Sequence, residues 1–360
     1  MLHIYVFAKI SFLPLFNKKS SRQKAVIFTG ILTWIVYLIS RIYRHSDFGI
    51  ISALLEVAGM QWTASVFLLF VSFFISDIIC GFGFFFKKYS GRIKSTAAVF
   101  GAVLIIIAHF QGLRPPVVQT EEVFLKTLPD KYDGITLAVL SDLHAGEMMI
   151  GSSWLNRRLG QVEKLNPDII ILAGDLFERR SNIKEIIPVM QRFDAPFGVW
   201  AVRGNHDTVR SGRKDVTGEI LKKADIPLLS NENASPLAGL VIAGVDDFTS
   251  SRRHSGKAES DLETSLENKP EGAVILISHT PWMVKKAAAS GVDLMISGHT
   301  HNGQIWPFNY LVKSQYPYIT GRYTIDEMFL FVSKGTGTWG PRMRLWSPGE
   351  INFITLRKSE

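Results

Sequence analysis

Long apolar segments occupy the first third of the chain, whereas short apolar runs separated by polar clusters occupy the rest. Residues 25–42, 62–86 and 96–110 are almost free of charged side chains. A transmembrane helix needs about 20 apolar residues, so this pattern predicts three membrane spans. Residues 1–17 are a weaker fourth candidate, because a lysine and a proline interrupt them. A cleaved signal peptide is the alternative there, although no small-residue cleavage site follows.

Basic residues are concentrated in the same third of the chain. Residues 1–112 contain 11 Lys and Arg against 3 Asp and Glu, and so carry the whole formal charge of +8. Segments 18–24 and 87–94 hold four basic residues each, whereas the loop 41–61 holds two. The positive-inside rule places the first two segments in the cytoplasm and the residues after 112 on the opposite face. We therefore expect a multi-pass protein of the cell membrane with an extracytoplasmic C-terminal domain.

Three further features limit the function. The single cysteine, Cys80, excludes an intramolecular disulfide and a thiolate metal cluster. The residues after 112 carry no net charge, so no nucleic-acid partner is expected. Asp77 is an acid within a predicted span and hence a functional candidate. The alternative for Asp77 is a bond to Ser76 or to a neighbouring helix.

After Pro115 and Pro116 the pattern changes to short apolar runs that end in turn residues, which is typical of buried strands. These runs cover residues 135–140, 168–172, 198–202, 240–243, 273–277, 292–296, 329–332 and 351–356. Helical periodicity occupies 154–165 and 182–193. Strands separated first by helices and then by shorter links indicate an α/β fold, an αββα sandwich. We expect a membrane domain at 1–112, a linker at 113–127 and the sandwich domain at 128–360.

Five polar clusters follow these strands directly. Their order along the chain is Asp142-Leu143-His144, Gly174-Asp175, Gly204-Asn205-His206-Asp207, His279 and Gly298-His299-Thr300-His301. Each cluster alone is a weak signal, but five of the nine histidines fall within them. Functional groups gather at the carboxyl ends of strands, so the clusters are expected to meet. In an extended stretch, residues two apart point the same way, so Asp142 and His144 can share one ion.

The residue types in these clusters indicate a metal site. Carboxylate, imidazole and amide oxygen without sulfur favour Mn²⁺, Fe or Zn²⁺ over Ca²⁺. The ligands are too many for one open catalytic ion, so we expect two divalent ions that share a carboxylate. Such a pair can bind phosphoryl oxygens and lower the pKa of a water between the ions. Glycines at 174, 204 and 298 would let the backbone turn tightly beside the ions.

The order D-x-H, GD, GNHD, H and GH-x-H resembles the calcineurin-like metallophosphoesterases. Residues 335–341 and 347–351 are similar to the integral-membrane branch of that family, and the resemblance covers 128–356. It implies hydrolysis of phosphoester bonds at a two-metal site. It also implies that one ion is bound by Asp142, His144, Asp175 and His301 and the other by Asp175, Asn205, His279 and His299.

By the same resemblance, His206 binds no metal. It would face the substrate phosphate and protonate the leaving oxygen or stabilise the transition state, and Asp207 would orient it. Two positions depart from the family pattern. Asn302 stands where glycine is usual, and the acid three residues after the shared Asp is Glu178, which leaves Arg179 to contact phosphate or to form a helix-end salt bridge.

Membrane attachment favours a lipid-linked or envelope substrate with a phosphodiester or pyrophosphate bond. With reversed topology, the alternative is a cytoplasm-facing hydrolase of a nucleotide-linked lipid precursor. A non-catalytic metal-binding membrane protein would be expected to have lost a ligand or His206, and none is missing. A transporter would need polar residues in several spans, where Asp77 is the only strong candidate.

An apolar loop, residues 305–312, follows the last cluster. Amphipathic aromatic side chains favour the bilayer interface. We therefore hypothesise that Trp306, Phe308 and Leu311 dip into that interface and seat the metal site against lipid headgroups. The alternative is a loop that packs on its own domain.

Overall fold

The computed structural model describes residues 1–43, 49–146, 150–178, 182–207, 215–247 and 257–359. They form two compact units. The first comprises Met1–Leu113 and Gly340–Leu345, and the second comprises Arg114–Trp339 and Trp346–Glu360. Arg179, with its predicted phosphate contact or salt bridge, lies outside the described residues.

The first unit is helical. Its helices are α1 (Leu2–Ser11), α2 (Pro14–Asn17), α3 (Ser20–Tyr43), α4 (Gly49–Ile79) and α5 (Ser90–Leu113), with 3-10 turns at Gly81–Gly83 and Lys87–Tyr89. Within the described residues, three stretches are long and apolar enough to cross a membrane: Ser20–Ile42, Ala53–Ile79 and Lys87–Leu113. They correspond to the three predicted spans. The weaker fourth candidate contains α1, whose ten residues fall short of the roughly 20 that a span requires.

Two predicted loops are partly helical. Helix α4 begins at Gly49, so residues 49–61 extend the second span, because apolar residues continue there with Glu56 as the one charge. Helix α5 begins at Ser90, so Arg92 and Lys94 lie in its first two turns.

Asp77 on α4 is buried and bonds to a neighbouring helix. Its carboxylate accepts hydrogen bonds from the Tyr5 hydroxyl at 2.5 Å and from Lys9 Nζ at 2.7 Å, and both partners lie on α1. A buried charge is costly unless it is paired, so this ion pair fixes α1 against α4. Ser76 instead donates to the carbonyl of Phe73 in its own helix.

The helical unit also contains Gly340–Leu345, which the sequence assigned to the sandwich domain. The Arg344 N–H donates to the carbonyl of Ala108 on α5 at 2.9 Å. Gly112 approaches this segment so closely that a Cβ there would lie 2.5 Å from the carbonyl oxygen of Arg342.

The second unit contains two β-sheets. Its strands are β1 (Val117–Leu125), β2 (Thr136–Leu140), β3 (Ile169–Ala173), β4 (Val199–Val202), β5 (Glu232–Leu237), β6 (Leu240–Gly244), β7 (Ala273–Ile277), β8 (Leu294–Ser297), β9 (Gly321–Ile325), β10 (Met328–Val332) and β11 (Glu350–Lys358). Its helices are α6 (Ser152–Leu165), α7 (Ile183–Met190), α8 (Val216–Lys223), α9 (Lys257–Leu266), α10 (Val284–Ala289) and α11 (Phe308–Lys313), with 3-10 turns at Asp130–Tyr132 and His301–Gly303. The sheet orders are β1-β11-β2-β3-β4 and β5-β6-β7-β8-β10-β9.

Alternating side chains show that the two sheets pack face to face. Leu137 of β2 shares a core with Ile275 of β7. Leu140 of β2 belongs to a second core, which contains residues of α6, α7 and α8. Leu276 of β7 belongs to a third core, which contains residues of α9 and α10. Each sheet is thus covered by helices on its outer face, and the predicted αββα sandwich is confirmed.

Strands β1, β5 and β9 were not predicted. Strand β1 lies in the segment 113–127 that was expected to be a linker. It pairs in parallel with β11, from Val117 opposite Glu350 to Leu125 opposite Lys358. The first sheet therefore begins before residue 128.

Candidate metal centre

The five polar clusters lie at the carboxyl ends of five strands. Strands β2, β3 and β4 are parallel neighbours, and so are β6, β7 and β8. The residues after β2, β3 and β4 therefore meet at one edge of the first sheet, and those after β7 and β8 meet at one edge of the second. Since the sheets pack face to face, the two edges bring the clusters into one site.

Three groups of side chains among the described residues have the spacing of metal ligands: two consist of predicted ligands, and the third is His144, Glu178 and His206. In the first, the ligand atoms of Asp142, His144 and His301 lie within 4.8 Å of one another. In the second, those of Asp175, His279 and His299 do the same. Asn205 joins the second group, because its Oδ1 lies 2.7 Å from His299 Nδ1.

Asp175 lies between the two groups of predicted ligands. Its Oδ2 is 3.1 Å from His279 Nε2 and 3.9 Å from His144 Nε2. This is the position that a carboxylate shared by two ions requires. All seven ligands predicted from the sequence are thus brought together.

His144 and His279 are hydrogen-bonded through Nδ1, and Nε2 of each ring faces the Asp175 carboxylate. Nδ1 of His144 is 2.7 Å from Glu178 Oε1, and Nδ1 of His279 is 2.8 Å from the carbonyl of Ala173. In a neutral ring, acceptors at Nδ1 place the ring proton there and leave the lone pair on Nε2. Both Nε2 atoms are buried; that of His144 makes no hydrogen bond among the described residues, and that of His279 has the Asp175 carboxylate beside it, at 3.1 Å. A divalent cation would satisfy them, so the residues fit the expected metal ions.

Two of the predicted ligands, Asp175 and His299, have the charge states that ligands need. Burial raises the pKa of Asp175, but the neighbouring imidazoles, His279 foremost, outweigh burial and hold it below the ordinary range. Burial and the nearby His279 lower the pKa of His299 to about 4. Asp175 is therefore ionised and His299 neutral at neutral pH. At His144 and His279, burial lowers the pKa of the imidazole, but the neighbouring carboxylates outweigh burial and raise it, to about 9 for His144.

The backbone at the ligands is left-handed rather than extended. Positive φ angles occur at Asp142 (52°), His144 (45°), Asp175 (50°), His299 (71°) and His301 (48°). The prediction that Asp142 and His144 share an extended stretch was therefore wrong, because the chain turns sharply at the end of β2. Non-glycine residues in such conformations cost about 1–3 kcal/mol each and persist only where the surroundings fix them. Here the clusters fix one another through backbone hydrogen bonds. The Asp142 N–H donates to the carbonyl of Gly174, and the His144 N–H donates to the carbonyl of Asp175.

Close packing requires glycine at all three predicted positions, including Gly174, where a Cβ would lie 2.7 Å from His279 Nδ1. A Cβ on Gly204 would lie 2.1 Å from Asp175 Oδ1, and one on Gly298 would lie 2.5 Å from Asp142 Oδ2. Asn302, which replaces the usual glycine, has φ 49°. Asparagine tolerates that conformation better than most residues, which accounts for the departure.

Glu178, rather than Asp207, contacts the candidate acid His206. Glu178 Oε1 is 3.0 Å from His206 Nδ1 and also accepts from His144. The Asp207 carboxylate instead accepts from the Gly204 N–H at 2.9 Å and from the Thr217 hydroxyl at 2.7 Å. The predicted role of Asp207 in orienting His206 was therefore wrong. The Asp207 carboxylate thus stabilises the backbone of the loops after β3 and β4.

Glu178 also governs the charge of His206. Burial lowers the pKa of this imidazole, but the hydrogen bond to Glu178 and the charge of Asp175 outweigh burial and raise it. His206 is partly exposed, so a protonated ring could reach a substrate.

Four aromatic side chains and one leucine are exposed in the segments that follow β8 and β10, and we call them the aromatic rim: Phe308, Tyr310, Leu311, Trp339 and Trp346. Its members are between 41% and 64% exposed. The Trp339 ring lies 6.3 Å from that of His206, and the Gln304 side chain bonds both the N–H and the carbonyl of Trp339. Trp306 packs against Trp346, with ring centroids 4.9 Å apart. Of the three side chains predicted to enter the bilayer, Trp306 thus packs on its own domain, whereas Phe308 and Leu311 are exposed.

Two contacts at the site involve residues outside the five clusters. The Tyr316 hydroxyl lies 2.8 Å from His299 Nε2. Asp247 is buried and accepts a hydrogen bond from Thr280, the residue after His279. Asp247 is the second of two acids that follow β6, so its place after a strand could have indicated it, whereas a tyrosine in a polar loop has no distinguishing spacing.

Sequence comparison matches residues 135–303 to the calcineurin-like phosphoesterase domain. The chain is 31% identical over 267 residues to an uncharacterized metallophosphoesterase from Aquifex aeolicus, covering 72% of this chain and 97% of that protein. It is 31% identical over 285 residues to a transmembrane protein with metallophosphoesterase domain from Danio rerio, covering 75% of this chain and 64% of that protein. A bovine protein of the same name is covered to 62%. The chain thus spans slightly less than two thirds of these vertebrate relatives.

Among solved structures, the chain is similar to the calcineurin-like phosphoesterase YfkN from Bacillus subtilis, with 14% identity and a TM-score of 0.35. That similarity covers 56% of this chain and 82% of the other. The near-complete coverage of the Aquifex aeolicus relative decides the assignment. This chain is a member of the calcineurin-like metallophosphoesterase family.

Proposed function

We propose that the protein is a membrane-anchored, metal-dependent hydrolase of phosphoester bonds. The convergence of the seven predicted ligand side chains, with two buried imidazole nitrogens that face the Asp175 carboxylate, carries this proposal. Beside them lies His206, which is held by Glu178. A scaffold protein would need the metal ligands but would not need the imidazole of His206.

The proposed site has two metal positions. One would be held by Asp142, His144, Asp175 and His301, and the other by Asp175, Asn205, His279 and His299. Two divalent cations there would bind phosphoryl oxygens and supply a water of lowered pKa as nucleophile. The identity of the cations stays open between Mn²⁺, Fe and Zn²⁺, since all three accept this donor set.

His206 supplies the proton in this proposal. Glu178 occupies its Nδ1, so Nε2–H is left to donate to the leaving oxygen. Because Glu178 raises the pKa of His206, the ring is protonated over a wider pH range than a free imidazole. The same positive charge would stabilise the transition state.

The aromatic rim favours an amphiphilic substrate, such as a lipid-linked phosphodiester or pyrophosphate. Exposed aromatic side chains beside a polar site bind molecules that have one apolar end and one polar end. Trp339, next to His206, would contact the leaving group. Membrane attachment through the three apolar helices would keep such a substrate close to the site.

Hydrolysis of bis-p-nitrophenyl phosphate by the purified full-length chain tests the activity. We expect turnover that requires added Mn²⁺ or Zn²⁺ and that falls about 10²–10⁴-fold in His206→Ala, the usual range for a general acid, while metal content is retained. Loss of metal in His206→Ala would instead make this residue a ligand. Absence of metal-dependent turnover in the wild type would contradict the proposal.

A reporter fusion tests the proposed topology. An enzyme active only outside the cytoplasm, fused after Glu360, should be active, because the basic segments 18–24 and 87–94 favour the cytoplasm. Replacing Lys87 and Lys88 with neutral residues should weaken the preference for an extracytoplasmic C-terminal domain. Activity of a cytoplasm-only reporter would reverse the topology and favour a nucleotide-linked lipid precursor as substrate.

A further inference from the structure

His299 is held at both ring nitrogens. Nδ1 lies 2.7 Å from Asn205 Oδ1, and Nε2 lies 2.8 Å from the Tyr316 hydroxyl. Asn205 belongs to the second ligand group, together with Asp175 and His279. The nitrogen of His299 that faces this metal position is therefore Nδ1, and Tyr316 lies on the opposite side of the ring.

The position of the Tyr316 hydroxyl is fixed by packing. The ring stands edge-on to His299, with centroids 5.1 Å apart and an interplanar angle of 68°. Trp282, three residues after His279, also packs against Tyr316, with ring centroids 6.0 Å apart. The Tyr316 N–H donates to the carbonyl of Val312 in α11 at 2.9 Å. Loops from two ligand clusters thus hold this half-buried tyrosine against one imidazole.

The chemistry of imidazole gives this contact a specific consequence. A neutral ring carries one N–H and one lone pair. With the proton on Nδ1 the ring donates to Asn205 Oδ1, whereas binding of a metal through Nδ1 requires the proton on Nε2. A tyrosine oxygen can accept the hydrogen bond from that N–H, whereas a phenylalanine ring cannot. Outer groups of this kind fix the tautomer and the orientation of a ligating histidine.

We propose that Tyr316 is a positioning residue for the second metal site, where its oxygen accepts the Nε2–H hydrogen bond of His299 and directs the Nδ1 lone pair at the ion. This inference rests on the proposed function, because it takes His299 as a ligand. It adds a residue that lies outside all five sequence clusters. Asp207, by contrast, lies within a cluster and braces backbone.

Titration of the full-length chain in detergent micelles with Mn²⁺, with free ion followed by electron paramagnetic resonance, tests the proposal. Tyr316→Phe keeps the ring packing and removes one oxygen. We expect the Kd of one of the two sites to rise about 10- to 100-fold, the usual cost of losing such a partner, while the other site is unchanged. The matched control is Tyr318→Phe, whose ring packs on Tyr323 at 5.0 Å and whose metal binding should equal that of the wild type.

The outcomes separate the two proposals. Unchanged affinity at both sites in Tyr316→Phe would overturn the role of Tyr316 and leave the dimetal function standing. If the wild-type protein failed to bind two Mn²⁺ ions, both proposals would be overturned. Thermal unfolding without metal should be equal in Tyr316→Phe and Tyr318→Phe. A lower Tm for Tyr316→Phe with equal weakening of both sites would assign Tyr316 to folding and overturn its positioning role.

Discussion

Glu178→Gln removes the negative charge that faces both His206 and the ligand His144, and it preserves the shape of the side chain. The contact to His206 is 3.0 Å long. A hydrogen bond to a charged group contributes about 1.5–3 kcal/mol. If that contribution is realised in the transition state, kcat falls about 10- to 150-fold, at 1.36 kcal/mol per factor of ten. Loss of the negative charge beside His144 should also weaken the first metal site, by up to about 10- to 100-fold.

The assay separates these two effects. At saturating Mn²⁺ the metal defect is removed, and the remaining loss in kcat reports on His206. That loss should be larger for a diester with a poor leaving group than for bis-p-nitrophenyl phosphate, because only the poor leaving group needs a proton. Asp207→Asn is the matched control, since its carboxylate braces the backbone, and it should affect both substrates equally. The reasoning would be refuted if Asp207→Asn showed the leaving-group dependence and Glu178→Gln did not.

Three further perturbations test other parts of the molecule. Asp175→Asn should lose both ions together and lower turnover by more than about 10³-fold, which exceeds the usual effect of removing a residue that only supports a ligand. Near-normal turnover with two ions bound would contradict the shared position of Asp175. Replacing Phe308 and Leu311 with Ser should reduce turnover of a bilayer-embedded substrate and leave a water-soluble diester nearly unaffected, whereas equal losses on both would indicate a folding defect. Lys9→Met should lower the free energy of unfolding in micelles by about 3–5 kcal/mol, because it leaves a buried charge unpaired. The double variant with Asp77→Asn should recover most of that loss, and a double variant as unstable as the single would count against the ion pair.

The strands that could be predicted from the sequence are the buried ones. Strand β7 was predicted with its observed bounds, because all five of its residues are apolar and buried. Strands β1, β5 and β9 were missed, and each is an edge strand. An edge strand needs few apolar residues: β1 is exposed over most of its length, and β5 contains Asn, Ser and Pro. Their pairing depends on neighbours that are distant in sequence, which a local pattern does not encode.

The ligands of the candidate site could be predicted because each follows a buried strand. Their supporting contacts could not be predicted. Glu178 and His206 are 28 positions apart, and their contact depends on how two loops turn after β3 and β4. Proximity in sequence pointed to Asp207 instead, but the left-handed turn at Asp175 presents two backbone N–H groups to that carboxylate. Conformations of this kind have no signature in hydrophobic periodicity.

The left-handed backbone creates a conflict between stability and metal binding at five positions: Asp142, His144, Asp175, His299 and His301. Glycine would adopt each of these conformations without the steric cost that a Cβ imposes. A descendant of this chain that no longer needed to bind metal would therefore gain stability from glycine at the same positions that catalysis holds as acids and imidazoles. Glycines at these turns in a homologous sequence would then be a mark of lost activity, one that can be seen without an assay.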